Sequence, residues 1–294
     1  MECKNRIKNI INIFLPLFFA FLIQNVVILI DLVMIFIKNI FSDEKTVARK
    51  TMSAIILEDY NQPMNKAFLL FLQFTIFIIV FGIWYLNYIN HSRWQIKNIK
   101  PSIKEGFFKI CIPPIIIFFI IGGIAGQFFV DSILMLVRPL FEKAFSNYDN
   151  LVSNVTGASV SWLMLLDVFL LAPIAEELLF RGLIFNYAKK SMPVVFALLL
   201  QGLLFGLYHG NLIQGTYAFL LGILLGIIVL KTKTVISSII FHISLNLSIL
   251  FVSEKCFNNV LNSTIICIIS GIILFLCIFL FIRVLKSKER KITD

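Results

Sequence analysis

Charged residues are scarce in this sequence. Only 14% of its 294 residues are Asp, Glu, Lys or Arg, whereas 59% are hydrophobic. A soluble protein has about a quarter charged residues, and apolar runs of the roughly 20 residues needed to cross a bilayer recur along this chain. The composition therefore excludes an ordinary soluble fold and predicts an all-α integral membrane protein.

Acidic residues are fewer than basic ones, at 16 against 26, which gives a formal net charge of +10. The Lys and Arg residues lie in short clusters between apolar runs, where they act as topology signals and contact anionic lipid headgroups. We therefore expect membrane lipids as partners and no nucleic acid.

Cysteine motifs are also missing. The five cysteines show neither a C-x-x-C pair nor metal-ligand spacing, and most lie inside apolar segments (Cys3, Cys111, Cys256, Cys267 and Cys277). They are interpreted as small buried hydrophobic residues.

The apolar runs predict about eight transmembrane helices. The first run has a basic start but no small-residue cleavage site, so it is interpreted as an anchor and not as a signal peptide. Basic clusters place both termini in the cytoplasm of a multi-pass plasma-membrane protein, although loop 38–66 is also rich in Lys and Arg and fits an outer loop or a surface segment. The predicted spans are 10–37, 67–89, 107–130, 160–189, 193–209, 213–230, 235–252 and 264–284.

A polar stretch at 131–157 divides the chain. We predict an N-terminal transmembrane region of about three helices and a polar loop (1–156), a helical membrane core (157–284) and a basic cytoplasmic tail (285–294). The spans of the core, unlike most of the earlier ones, contain ionisable residues.

Two adjacent glutamates lie deep in the fourth predicted span. Glu176 and Glu177 are about 20 Å from the basic edge of the span, and a carboxylate at mid-bilayer costs about 2.5 to 3.5 kcal/mol or more. Glu177 and Arg181 share a helix face and are expected to pair, whereas Glu176 points about 100° away and stays free. The structural alternative is that both glutamates serve only as partners in ion pairs.

Two of the three histidines lie in later spans. His209 follows Phe205 by one helical turn, and His242 and Asn246 share one face of the seventh span. Counted from the basic edges, His209 lies about 28 Å and His242 about 14 Å along their helices, so offset or tilt must bring them to the level of Glu176. The alternative for His209 is that it is simply an interfacial histidine. The alternative for His242 and Asn246 is a simple interhelical hydrogen bond.

Several other features are interpreted structurally. His91 lies in a basic loop and receives no role, and Asp167, on the opposite helix side from Glu176, is interpreted with Asp31, Gln24 and Asn25 as a packing or gating group. Glycines at four-residue spacing predict close helix contacts, especially between the fifth and sixth spans.

Three ordered motifs carry a resemblance to a known family. E-E-x-x-x-R from Glu176 to Arg181, F-x-x-x-H ending at His209 and H-x-x-x-N from His242 to Asn246 resemble the CAAX-protease and bacteriocin-processing (CPBP, or Abi) family, which includes type II CAAX prenyl endopeptidases and lysostaphin-resistance-like proteins. The resemblance covers about residues 161–250. It implies an intramembrane protease and a peptide or protein substrate in the membrane.

The resemblance also implies roles. Glu176 would be the general base, His209 would help to activate water, and His242 and Asn246 would stabilise the oxyanion, with Glu177 and Arg181 in support. These residue types suit hydrolysis without a Ser or Cys nucleophile. A zinc site of Glu176, His209 and His242 is the alternative, although Asn246 fits it poorly and no H-E-x-x-H motif is present.

Two other functional hypotheses stay open. A non-catalytic immunity or scaffold protein would use the same polar pocket to bind a peptide or partner. A transporter is disfavoured because the polar residues cluster in one half and no repeat is visible. The Lys, Asn and Ile-rich composition is typical of bacterial proteins, whose relatives in this family are linked to the processing of, or immunity to, bacteriocin-like peptides.

Overall fold

Helices make up nearly all of the described chain. The computed structural model describes residues 2–40, 62–95, 113–156, 160–251, 257 and 259–293, and these residues contain no strand. A broken helix, α5, runs over residues 162–191 and is described with the site. The other helices are α1 (Glu2–Ile40), α2 (Pro63–Gln95), α3 (Pro113–Val137), α4 (Glu142–Thr156), α6 (Val194–Tyr208), α7 (Leu212–Thr232), α8 (Val235–Ser248) and α9 (Val260–Thr293).

The helices confirm the predicted all-α membrane protein. Five of them, α1, α2, α3, α7 and α9, are long and apolar enough to cross a bilayer, and α6 and α8 are shorter apolar helices. Large apolar side chains such as Phe18, Leu29 and Ile268 are more than half exposed, as expected of surfaces that face lipid. The chain is thus a multi-pass membrane protein.

Some predicted boundaries differ from the structure. The third predicted span starts at Phe107, outside the described residues, and its helix continues to Val137 instead of ending at Val130. The predicted basic tail at 285–294 continues α9 as far as Thr293. Most of loop 38–66 and most of the basic segment around Arg93 to Lys109 lie outside the described residues.

The polar stretch after α3 contains a helix, so its prediction as a loop was wrong. A short 3-10 turn (Arg138–Leu140) leads into α4, which is amphipathic. Phe145 is buried on one side of α4, and Tyr148 meets the ring of Tyr217 on α7 edge-on, with ring centroids 6.3 Å apart. The described polar residues of α4 other than Tyr148 occupy the exposed side, which is why overall polarity concealed the helix.

Two apolar clusters hold the described helices together. In the first, α1 and α2 pack along α5 and α6 around residues such as Phe77, Phe81 and Phe180. In the second, α3 packs against α8 and α9 around Phe119 and Phe241. The candidate site residues lie where α5, α6 and α8 meet between these clusters.

Glycines bring α6 and α7 into close contact, as the sequence predicted. A Cβ added to Gly206 would lie 2.5 Å from the carbonyl oxygen of Gly215, and one added to Gly222 would lie 2.8 Å from the Cα of Gly202. Backbones can approach this closely only where side chains are absent, so these glycines fix the spacing of the two helices.

Replacing Gly206 by Ala should destabilise the protein, because the added methyl group forces α6 and α7 apart. We expect a loss of about 1 to 3 kcal/mol, typical of overpacking, measured as thermal unfolding in detergent. Gly126→Ala on α3 is the matched control, since its new Cβ would have neighbours no nearer than 3.6 Å. Equal unfolding temperatures for the two variants would contradict the close contact.

Candidate active site

Helix α5 carries both glutamates and alternates between α and π geometry. Its segments are Trp162–Leu166 (α), Asp167–Leu171 (π), Ala172–Glu177 (α), Leu178–Ile184 (π) and Phe185–Ser191 (α). Pro173 has no N–H to continue the α-helical bonds, and the π turn before it accommodates this interruption. The glutamates therefore lie between two π turns, a type of irregularity that is frequent at functional sites.

Glu177 is the centre of a buried hydrogen-bond network. Arg181 Nη1 donates to Glu177 Oε1 at 2.8 Å, and His242 Nδ1 contacts the same oxygen at 3.0 Å. Both members of the Glu177–Arg181 pair are fully buried, and the pairing agrees with the i, i+4 expectation. An ionised carboxylate only accepts hydrogen bonds, so His242 donates from Nδ1 and presents Nε2 to the site.

The guanidinium of Arg181 connects α5 to two further helices. It lies over the ring of Phe205 on α6, 4.3 Å from the ring centroid. On the α7 side, a Cβ at Gly222 would lie 3.4 Å from Arg181 Nη2, so the guanidinium packs against the backbone of α7 at this glycine. Through Glu177 and His242 the network continues to α8, and Arg181 thus links four helices.

Glu176 is the more accessible glutamate. Its side chain is 14% exposed, and its Oε2 lies 3.9 Å from His242 Nε2. This separation is too long for a direct hydrogen bond and suits two groups that share one water molecule. The hydroxyl groups of Tyr208 and Tyr217 lie within electrostatic range of the Glu176 side chain.

His209 caps α6 and lies beside the same aromatic ring as His242. Its Nδ1 donates to the carbonyl oxygen of Phe205 at 2.8 Å, which leaves Nε2 for other partners. The Phe205 ring contacts both imidazoles edge-on, with centroids 4.8 Å from His209 and 5.9 Å from His242. His242 thus reaches the level of Glu176, whereas His209 is related to the site through the Phe205 ring that it shares with His242.

Asn246 contacts α5 one turn beyond His242. Its Nδ2 donates to the carbonyl oxygen of Val168 at 3.0 Å, in the first π segment. The side chain therefore connects α8 to the part of α5 that precedes the glutamates. Its second N–H is not used in this hydrogen bond.

The alternative zinc set of Glu176, His209 and His242 is not assembled in the structure. Among the described residues, no three His, Cys, Asp or Glu side chains form a group that would hold a metal ion.

Sequence reasoning gave too little weight to three residues around the site. Phe205 stands in the F-x-x-x-H motif, yet its contacts with Arg181 and His242 follow only from the packing of the helices. Tyr217 lies in a largely apolar span, and the presence of its hydroxyl group there was the one sequence signal that pointed to it. Asp167, interpreted as a packing or gating group, is buried, and neither carboxylate oxygen has a hydrogen-bond partner among the described residues.

Residues 158–248 match the model of a protease family described as type II CAAX prenyl endopeptidase Rce1-like. The chain is also similar to the lysostaphin resistance protein A of Staphylococcus aureus strains Newman, USA300 and N315, each 23% identical over 234 residues. No solved structure matches the chain.

These matches agree with the three sequence motifs. The matched region contains both glutamates, Arg181, both candidate histidines and Asn246. The family-model match and the similarity to lysostaphin resistance protein A support the assignment of the chain to the CPBP family. The alignment covers 75% of this chain, and the chain spans about half the length, 52%, of the curated relatives that it matches.

Proposed function

We propose that this protein is an intramembrane endopeptidase that hydrolyses a peptide bond in a membrane-associated or lipidated peptide. The observation that carries the proposal is the group formed by Glu176, His242, Glu177 and Arg181 among apolar helices. Buried ionisable groups are costly, and a partly accessible carboxylate beside an oriented imidazole suits acid–base chemistry. The family assignment supports a CAAX-type protease.

Glu176 is proposed as the general base. A water held between its Oε2 and His242 loses a proton to the carboxylate as its oxygen attacks the scissile carbonyl carbon. The proton then passes from Glu176 to the departing amine, and the C–N bond breaks. The second proton of the water stays with the oxygen that joins the new carboxyl group, so both products form without an acyl-enzyme.

His242 and Asn246 are proposed to stabilise the oxyanion. Protonated His242 donates Nε2–H while Glu177 holds Nδ1, and the charges of the two carboxylates, the imidazolium and Arg181 then sum to zero. Asn246 contributes the N–H that Val168 does not occupy. Such fixed donors act strongly where water is excluded. His209 presents its Nε2 beside the Phe205 ring and is proposed to assist in orienting the water.

The test is cleavage of a peptide panel by the purified full chain in detergent. The panel contains lipidated C-terminal peptides and leader-type peptides, and bound zinc is measured in the same preparations. We expect at least one peptide to be cleaved and cleavage to fall about 100-fold or more in His242→Ala, as for lost oxyanion donors. Tyr187→Phe, which alters a hydroxyl bonded to Trp84 away from the site, is the matched control.

The outcomes separate the hypotheses. Activity in zinc-free enzyme supports the glutamate mechanism, whereas stoichiometric zinc that is lost with the histidines would replace it. If folded wild type cleaves none of the peptides but binds one of them, the non-catalytic immunity or scaffold role is favoured instead.

A further inference from the structure

An apolar groove lies on the lipid-facing side of the second cluster. Its walls come from α3, α7 and α9, and Phe241 of α8 also lines it. Helix α8 packs closely on α3 beneath it, since a Cβ at Gly123 would lie 2.6 Å from the carbonyl oxygen of Phe241. The groove is therefore a feature of rigidly packed helices.

The lining of the groove is apolar except at one end. Side chains such as Phe118, Leu224 and Phe281 line its length, and Lys231 is the one charged residue in the lining. Leu224 and Lys231 are two turns apart on α7, or about 10 Å. An apolar channel that ends at a cation matches the chemistry of a lipid with an anionic headgroup.

Lys231 is available for such a headgroup. It is exposed in the last turn of α7 and makes no ion pair with another described residue. Exposed Lys233 follows two residues later, and exposed Arg283 follows directly after the groove residue Ile282. Basic residues at a membrane edge attract anionic lipids by about 1 kcal/mol each.

The groove is narrow and partly open along its length. A helix about 10 Å wide would not enter it, whereas a single alkyl chain can lie along it.

We propose that this groove binds one anionic phospholipid, with an acyl chain between α3, α7 and α9 and the phosphate on Lys231. The lipid would contact Phe241, the residue directly before His242, and thus support the helix that carries the candidate imidazole. This proposal concerns lipid binding and holds whether or not the chain is a protease.

Native mass spectrometry of the full chain in detergent tests the proposal, with phosphatidylglycerol and phosphatidylcholine of identical acyl chains as probes. We expect one phosphatidylglycerol to be retained in preference to phosphatidylcholine. Lys231→Ala should weaken its binding about five-fold, the effect of one lysine contact. Lys143→Ala, on the exposed side of α4, removes the same charge outside the groove and should leave binding unchanged.

A second variant tests the acyl chain. Ile227→Trp places an indole in the groove and should reduce binding of both lipids at least ten-fold, whereas Leu220→Trp, two turns away on the same face of α7 and outside the groove, should not. Glycerol 3-phosphate, which has no chain, should not compete. Equal retention of the two lipids by wild type, or wild-type binding by Lys231→Ala, overturns the proposal. If Ile227→Trp unfolds, as judged by thermal melting, the comparison of Lys231→Ala with Lys143→Ala decides whether the groove binds the lipid.

Discussion

Glu176→Gln should lower kcat for peptide cleavage by about 100- to 10,000-fold, the range expected for the loss of a general base. The amide keeps the size of the side chain but has no basic oxygen to take a proton from water. Because Glu176 is not the partner of Arg181 in the buried ion pair, the variant should unfold at the same temperature as wild type. The measurement is single-turnover cleavage of the best substrate of the panel.

Two comparisons make this result specific to the site. Glu142→Gln removes one carboxylate from the exposed surface of α4 and should retain full activity. Glu177→Gln should also impair cleavage, but with a loss of stability, because Glu177 holds both Arg181 and His242. Retention of more than a tenth of wild-type activity by Glu176→Gln would reject Glu176 as the base.

Arg181→Met is expected to cause the largest loss of stability, about 3 to 5 kcal/mol, the cost of removing one partner of a buried ion pair. Methionine fills part of the space beneath Phe205 but leaves the Glu177 carboxylate buried, with His242 as the remaining hydrogen-bond partner of its Oε1. Unfolding by a denaturing detergent, followed by far-ultraviolet circular dichroism, measures the difference.

A second substitution and a surface pair provide the controls. Adding Glu177→Gln removes the uncompensated charge, so the double variant should recover more than half of the lost stability. Arg138→Met breaks the exposed pair with Asp149 and should cost no more than about 1 kcal/mol. If Arg181→Met were no more destabilising than Arg138→Met, the network around Glu177 would contribute little to the fold.

Local features of the site were readable from the sequence because they depend on helix periodicity alone. The pairing of Glu177 with Arg181 follows from four-residue spacing, and the close approach of α6 and α7 follows from their glycines. The helices themselves followed from the lengths of the apolar runs. The assignment of catalytic roles to Glu176, His209, His242 and Asn246 stays a prediction.

Features that depend on how helices are offset were not readable. The contact of His242 with Glu177 instead of Glu176 joins residues 65 positions apart, and spacing within each helix says nothing about it. The contact of Asn246 with the Val168 carbonyl needs the π geometry of α5, which has no clear sequence signature. Helix α4 escaped prediction because its apolar side is narrow.

The π turns of α5 also change what residue spacing means in this helix. An ordinary helix advances about 100° per residue, so each added or removed residue turns everything beyond it by that angle. A π turn absorbs an extra residue locally, and Asp167 and Glu176 are separated by one such turn. Counting along a regular helical wheel therefore misplaces the two carboxylates relative to each other. A relative without the extra residue would present a different face of this helix to the histidines, even if its E-E-x-x-x-R motif were identical.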